Sequence, residues 1–164
     1  MKPLTIRLND KRECGTCSLC CKVMGVQEGD FHKPKDVWCP CAKKGLGCLV
    51  YDNRPSKCRD FNCLWVTGQF GHPEHRPDKI HGVVTSSTDG KNWVIHEDPG
   101  YEGYARRVLK DAITAWLDLG PEHYVIIVCG SKRSFNGDIR TFKRLKAAGT
   151  SEVLGAQDVT EITK

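Results

Sequence analysis

Nine of the ten cysteines in this 164-residue chain lie between positions 14 and 63. Cysteines this close together are either joined by disulfides or bind metal ions. Disulfide-rich domains are typical of secreted proteins, and the chain begins without the apolar stretch of a signal peptide. The expected location is therefore cytoplasmic, where clustered cysteines are more often metal ligands than disulfides. The nine are Cys14, Cys17, Cys20, Cys21, Cys39, Cys41, Cys48, Cys58 and Cys63.

The first four cysteines have the spacing of zinc-binding turns. Two residues separate Cys14 from Cys17 and Cys17 from Cys20, and a short turn with this spacing can present two thiolates to one ion. Cys20 and Cys21 are adjacent, and adjacent side chains project in different directions. Their thiolates would serve one tetrahedral ion only with backbone strain, so the pair favours two or more metal ions. A strained vicinal disulfide is the alternative.

The positive charge of the chain lies in the same segment. Residues 1–65 contain 12 Lys and Arg against 7 Asp and Glu, whereas residues 66–164 contain 13 of each. A basic segment can bind nucleic acid, but no basic stripe interleaved with aromatic residues is evident. Eight thiolates with two divalent ions would carry about −4 together, so the basic residues are better explained as compensating charge. Metal ions are thus the favoured partners, nucleic acid is disfavoured, and no apolar run suits a membrane span.

The rest of the chain predicts secondary structure. Asp89-Gly90 lies between β-prone runs and predicts a hairpin turn. Asp98 and Pro99 can start a helix that Gly120-Pro121 ends. Between them, apolar residues recur every three or four positions, as on one face of a long amphipathic helix. These residues are Ala105, Val108, Leu109, Ala112, Ile113 and Trp116.

Shorter elements are expected on either side. Residues 4–8 alternate as an edge strand would, residues 52–55 read as the start of a helix that carries Cys58, and residues 123–129 read as a buried strand. A loop over residues 130–138 and a final strand or helix over residues 139–146 would follow. The predicted fold is α+β: cysteine-rich metal-binding loops and short helices packed on a small β-sheet with one long amphipathic helix. A single domain is expected, with residues 1–68 as the cysteine-rich metal-binding region, residues 69–150 as the hairpin, helix and strand region, and residues 151–164 as a mobile tail.

The order of the cysteines and their neighbours resembles a known family. The four-cysteine run is followed by Pro40-Cys41, Gly47-Cys48, Tyr51, Arg54-Pro55, Cys58-Arg59-x-Phe61 and Cys63. Over residues 14–65 this pattern resembles the CxxCxxCC cysteine-cluster family, described as a zinc- or iron-chelating domain (the YkgJ type). The resemblance implies chelation by eight cysteines, with Cys39 as an addition that leaves open whether Cys39 or Cys41 is the ligand. The eight are Cys14, Cys17, Cys20, Cys21, Cys41, Cys48, Cys58 and Cys63.

The metal and the function stay open at this point. Spacing favours Zn²⁺ over iron or an iron–sulfur cluster, because the ferredoxin run places its fourth cysteine after three residues rather than immediately. The first hypothesis is a metal-binding protein with zinc or iron in a polynuclear cysteine cluster. The second is an enzyme that uses such a cluster for redox or methyl-transfer chemistry, since a flagellin lysine methylase resembles the family distantly. The third is a zinc-stabilised module that binds an acidic protein partner.

Residues outside the cysteine cluster offer weaker candidates. His32, His72 and His75 could supply nitrogen ligands, but a polar loop explains the latter two without a metal. Cys129 lies in an apolar run and is expected to be a buried small side chain rather than a nucleophile.

Overall fold

The computed structural model describes residues 12–151 and 153, and the backbone of residues 158–160. These residues form a mixed α+β fold with one five-stranded sheet and two two-stranded sheets. No helix in this described part is long and apolar enough to cross a membrane. The edge strand expected over residues 4–8 lies outside the described residues.

The cysteine-rich part consists of short elements. Its helices are α1 (Cys20–Val23) and α2 (Ser56–Asp60), and its strands are β1 (Val26–Glu28), β2 (Phe31–Lys33), β3 (Ala42–Lys43) and β4 (Gly47–Cys48). Strands β1 and β2 form one antiparallel hairpin, and β3 and β4 form another. Helix α2 begins directly after the Asn53-Arg54-Pro55 sequence and carries Cys58, as predicted. The acceptor at its start comes from β1, where the Glu28 carboxylate accepts hydrogen bonds from the amides of Ser56 and Lys57, both at 2.9 Å.

The second half of the chain builds the main sheet. Its strands, in spatial order, are β5 (Gly82–Ser86), β6 (Trp93–Glu97), β7 (Tyr124–Cys129), β8 (Lys132–Gly137) and β9 (Asp158–Thr160). Strands β5 and β6 form the predicted antiparallel hairpin around Asp89-Gly90. Strand β7 pairs in parallel with β6 and is buried along its whole length, as its apolar sequence predicted.

Helices cover both faces of this sheet. They are α3 (Pro77–Ile80), α4 (Tyr104–Val108), α5 (Lys110–Leu117) and α6 (Ile139–Ala147). Side chains alternate along β7, so Val125 and Ile127 pack in a cluster with residues of α4 and α5, whereas Ile126 and Val128 pack in another cluster with Phe142 of α6. The sheet therefore has an apolar core on each face and forms a stable support for its edge strand β5.

The segment expected to form one long helix is divided. Asp98 does act as a cap, but it caps a short 3-10 turn over Pro99–Tyr101 by accepting from the amide of Gly100 at 2.9 Å. Gly103 then takes a left-handed conformation (φ +78°), and α4 starts after it with the Glu97 carboxylate accepting from two amides at its beginning. At Leu109 the backbone leaves helical geometry (φ −91°, ψ 8°), which separates α4 from α5. Of the six apolar side chains expected on one face, four are buried, Trp116 is half-buried and Val108 is exposed.

One further expectation needs correction. The predicted loop over residues 130–138 contains strand β8, whose polar residues Ser134 and Asn136 are buried. Asn136 fits there because its side-chain amide donates to the carbonyl of Val125 at 3.2 Å. The expected mobile tail contributes a buried side chain, Val153, and the backbone of β9, which pairs in parallel with β8.

The cysteine-rich part contacts the sheet at one edge. Leu19 and Val23 of α1 pack with Cys63, Trp65 and Val83 in a third apolar cluster, and Val83 belongs to β5. The amide of Leu64 donates to the carbonyl of Val84 at 2.9 Å, so the chain around Cys63 runs beside β5. Beyond this contact the segment has little interior of its own, because residues 25–60 contain only two buried residues, Lys33 and Gly47.

Candidate metal centre

Four of the expected ligands line one small cavity. Its volume is about 20 Å³, which is enough to hold one water molecule. The thiols in its wall, called here the inner group, are those of Cys14, Cys17, Cys20 and Cys63. The rest of the wall is apolar and consists of Trp65, Val66, Pro77 and Val83. Cysteine is thus the residue type in this wall that can ligate a metal ion.

Three different elements bring the inner group together. The amide of Cys17 donates to the carbonyl of Cys14 at 2.8 Å and closes the predicted turn, in which Gly15 has a positive φ of 51°. Cys20 is the first residue of α1, and Cys63 follows α2 on the stretch that runs along β5. Spacing predicted the turn, whereas the position of Cys63 depends on its contact with strand β5, about twenty residues later in the chain.

The other five thiols form a second set, called here the outer group. Its members are Cys21, Cys39, Cys41, Cys48 and Cys58. The amide of Cys39 donates to the carbonyl of Cys21 at 2.9 Å, and the thiols of Cys39 and Cys41 share a hydrogen bond. Burial, followed by the nearby thiols of Cys21, Cys39 and Cys48, raises the pKa of the Cys58 thiol. Both Cys39 and Cys41 therefore belong to this set of thiols.

The adjacent pair Cys20 and Cys21 connects the two groups. The Cys20 thiol faces the inner cavity, and the Cys21 thiol lies beside members of the outer group. Cys20 donates a hydrogen bond to the Cys21 sulfur, which raises the pKa of Cys20 and lowers the pKa of Cys21 to about 7. The two adjacent thiols therefore contact each other, and the expectation that they serve two metal ions stays a prediction.

Two cationic side chains stand beside these thiols. Lys33 is 3% exposed, and its ammonium donates to the carbonyl of Lys22 at 2.6 Å and to the carbonyl of Met24. Burial lowers the pKa of Lys33, while the thiols of Cys21 and Cys39 act in the opposite direction. No sequence motif distinguished this lysine from its neighbours, because its burial arises from the position of β2.

Two residues of the pattern that resembles the cysteine-cluster family, Arg54 and Tyr51, interact with the Cys14 thiol. Burial raises the pKa of the Cys14 thiol, whereas the Arg54 charge and a hydrogen bond from Tyr51 lower it. The Arg54 side chain is held in place, since its Nε donates to the Tyr51 carbonyl at 2.7 Å and its guanidinium lies 3.6 Å from the centre of the Tyr51 ring. Lys22, which was expected to compensate thiolate charge, instead forms an ion pair with Asp98 at 2.6 Å.

None of the ten cysteines is in a disulfide, and Cys129 is buried in β7 as expected. His32 is exposed on β2, and His72 and His75 hydrogen-bond to the backbone of the 3-10 turn Pro73–His75. Among the described residues, no group of three or more His, Cys, Asp or Glu side chains is already arranged to hold a metal ion. Burial raises the pKa of Cys17 to about 11 and also raises the pKa of Cys14, Cys58 and Cys63, so these four thiols keep their protons at neutral pH. A metal would have to displace these protons and draw the sulfur atoms together.

Comparisons with family models, with curated proteins and with solved structures found no match for this chain. The resemblance to the cysteine-cluster family therefore rests on the motif within residues 14–65.

Proposed function

We propose that this protein binds zinc through its two groups of cysteines, and that the inner group forms a closed site for one ion. The observation that carries this proposal is the cavity of about 20 Å³ lined by four thiols. Four thiolates complete the tetrahedral coordination that Zn²⁺ prefers, and the rest of the wall offers no competing ligand.

The charges around the thiols favour the same function. Removing the protons from nine thiols creates a strongly anionic region, which needs cations close by. The buried ammonium of Lys33 and the fixed guanidinium of Arg54 lie beside these sulfur atoms. Both can stabilise the thiolates as neighbours of metal ligands commonly do.

Because few residues of the cysteine-rich part are buried, a bound metal ion would have a structural role there. Residues 25–60 bury only two residues, so the hydrophobic effect alone contributes little to holding this segment in place. Structural zinc contributes roughly 10–16 kcal/mol of folding free energy per site at neutral pH. A catalytic zinc needs an open coordination position, and the inner group with four thiols leaves none. We therefore favour a structural and metal-holding protein over a redox or methyl-transfer enzyme.

This function is also what membership of the cysteine-cluster family would imply, and we infer that membership from the motif. A cytoplasmic location goes with it, because free thiolates persist in a reducing compartment.

Metal analysis of the full chain tests the proposal. The protein is purified without chelators under anaerobic conditions, and its metal and inorganic sulfide contents are measured. We expect a colourless protein with about two zinc ions per chain. Replacement by Co²⁺ should give the intense thiolate-to-cobalt absorption of a tetrahedral site. A brown protein with inorganic sulfide would replace zinc by an iron–sulfur cluster, and a folded protein without any transition metal would overturn the proposal.

A further inference from the structure

Exposed apolar side chains are concentrated on the cysteine-rich part. Nine large apolar side chains are exposed in the described part of the chain, and six of them lie between residues 37 and 51. Single exposed apolar residues are ordinary, whereas a concentration of them marks a surface that another molecule covers. The six, called here the apolar patch, are Val37, Trp38, Leu46, Leu49, Val50 and Tyr51.

The β3–β4 hairpin brings these side chains together. Leu46 lies in its turn, where the Leu46 amide donates to the carbonyl of Lys43 at 2.9 Å. At the other end of the hairpin, the amide of Leu49 donates to the carbonyl of Cys41 at 2.8 Å. The two chains thus stay side by side beyond the paired strands, and the patch occupies one short stretch of folded backbone.

The two aromatic rings of the patch lie against cations. The guanidinium of Arg54 is 3.6 Å from the centre of the Tyr51 ring, and the ammonium of Lys22 is 5.9 Å from the centre of the Trp38 ring. Arg54 is held by the Tyr51 carbonyl at 2.7 Å, and Lys22 is held by the Asp98 carboxylate at 2.6 Å. A partner therefore meets rings that are already oriented, which reduces the entropy lost on binding.

The charge within the patch is positive. Residues 37–51 contain two basic residues, the exposed Lys43 and Lys44, and no acidic residue. Among the described residues, neither lysine forms an ion pair with a carboxylate. A molecule that covers the patch is complementary to it only if it brings negative charge to these two ammonium groups.

We infer that the apolar patch binds an acidic segment of another protein, with the segment's large apolar side chains packed on the patch and its carboxylates facing Lys43 and Lys44. This surface is separate from the proposed metal binding, and Trp and Tyr are residue types that dominate protein interfaces. A second copy of the chain fits less well, because a symmetric contact brings two positive patches together. An anionic membrane fits less well, because the exposed Asp52 directly follows Tyr51 and would face the headgroups.

Selection from random peptides tests the chemistry of the partner. Short random peptides displayed on phage are selected on the full chain, purified without chelators, and the most enriched peptide is synthesised with a fluorescent label. We expect enriched sequences with a net negative charge and large apolar residues, and saturable binding that weakens as salt rises. Enrichment of basic or uncharged peptides, or no enrichment, would overturn the inference.

Variants of the patch test where the selected peptide binds. Leu46→Asp and Leu49→Asp each place a repelling charge among the apolar side chains and should weaken peptide binding roughly tenfold. Both side chains are more than half exposed (61% and 63%), so the changes remove little packing. Leu119→Asp is the matched control, because Leu119 is also 63% exposed but lies just after α5, outside the patch. Equal binding by all three variants would overturn the inference.

A charge reversal tests the role of the lysines. Lys44→Glu should weaken peptide binding roughly threefold and reduce its dependence on salt. Lys143→Glu, which changes an exposed lysine of α6, should alter neither quantity. An unchanged salt dependence in Lys44→Glu would contradict the inferred contact with carboxylates.

Two measurements detect the other occupants. Sedimentation velocity should show a monomer, and a dimer that Leu46→Asp dissociates would place a second copy on the patch instead. Vesicles of phosphatidylcholine and phosphatidylserine should not bind the chain, and binding that Leu46→Asp abolishes would place a lipid surface there instead. Either result would overturn the inference. Zinc is measured on the same samples: a chain that holds zinc but binds no selected peptide refutes only this inference, and a chain that binds the peptide without zinc refutes only the proposed function.

Discussion

Cys20 and Cys21 follow one another in the chain, yet their thiols belong to different groups. The hydrogen bond between them lowers the pKa of Cys21 to about 7, so one proton of the pair is released close to neutral pH. A first metal ion bound at either group would therefore change the charge beside the other. This adjacency places the inner and outer groups of thiols side by side.

Cys63 is the proposed ligand whose replacement tests the inner group most cleanly. Replacing it by serine exchanges a thiolate for a hydroxyl that binds zinc poorly, so Cys63→Ser should lower the zinc content from about two ions per chain to about one. The measurement is zinc per chain after exhaustive dialysis. Cys129→Ser is the control, because Cys129 is similarly buried but lies in β7 outside both groups. Equal zinc contents in the two variants would contradict the role assigned to Cys63.

His96 provides a pH-dependent prediction away from the thiols. Burial, and then the charges of Lys35 and Arg133, lower the pKa of His96 to about 4. Its Nδ1 atom is buried and finds no hydrogen-bond partner among the described residues, so the fold favours the neutral ring. Below about pH 6.5 the unfolded chain gains a proton that the folded chain does not. The free energy of unfolding should therefore fall as pH falls from about 6.5 towards 4, by about 2 kcal/mol between pH 7.5 and 5.

The check on His96 is urea unfolding at those two pH values. Thiolate sites also release metal in acid, so the informative quantity is the difference between wild type and variant. His96→Gln should lose about 2 kcal/mol of the pH dependence, while replacement of the exposed His32 by Gln should leave it unchanged. The same pH dependence in wild type and His96→Gln would disprove the effect.

At the scale of elements, the β3–β4 hairpin depends on a close backbone approach to the first cysteine turn. Gly47 in β4 is buried with φ +92°, and a Cβ atom on it would lie 2.7 Å from the carbonyl oxygen of Gly15. That contact is shorter than real Cβ atoms make, and the opposing atom is backbone that cannot rotate away. Glycine is therefore required at position 47 to keep the β3–β4 hairpin, which carries Cys48, packed against the turn that carries Cys14.

Gly47→Ala should therefore push the hairpin away from the turn and weaken zinc binding. Gly45→Ala is the matched control, since Gly45 also has a positive φ (78°) but no atom within 4 Å of its Cβ position. Both variants carry the cost of about 1–2 kcal/mol for a left-handed residue, and Gly47→Ala should be less stable by a further margin. Thermal unfolding with chelator competition measures both effects. Equal losses in the two variants would mean that the close approach has no consequence.

These elements also show what the sequence could predict. The hairpin at Asp89-Gly90 and the apolar strand β7 were predictable because turn chemistry and hydrophobic runs are local signals. Strand β8 was missed because its buried residues are polar and are satisfied by partners across the sheet. The division of the cysteines into two groups was only suggested by the adjacent pair, because Cys63 reaches the inner group through contacts with β5 that no spacing encodes.

For the whole molecule, stability is distributed unevenly. The main sheet has an apolar cluster on each face, whereas residues 25–60 bury only Lys33 and Gly47. Of these two, the lysine is a charged group whose ammonium is held by two backbone carbonyls and not by apolar packing. If zinc binds as proposed, we expect the sheet to remain folded without the metal and the cysteine-rich part to lose its structure.

Metal removal should accordingly unfold one part of the chain and leave the other. In hydrogen exchange, a strong chelator with reductant should abolish protection of backbone amides in residues 25–60 and preserve it in β6, β7 and β8. The reason is that the segment loses its metal bonds, while the two clusters on the sheet keep all of theirs. Restoring Zn²⁺ should bring the protection back, whereas Mg²⁺, which prefers oxygen ligands, should not and serves as the control. If protection in residues 25–60 survives the chelator, metal does not hold this segment. If the sheet loses protection together with residues 25–60, the two parts unfold as one cooperative unit and stability is not distributed unevenly between them.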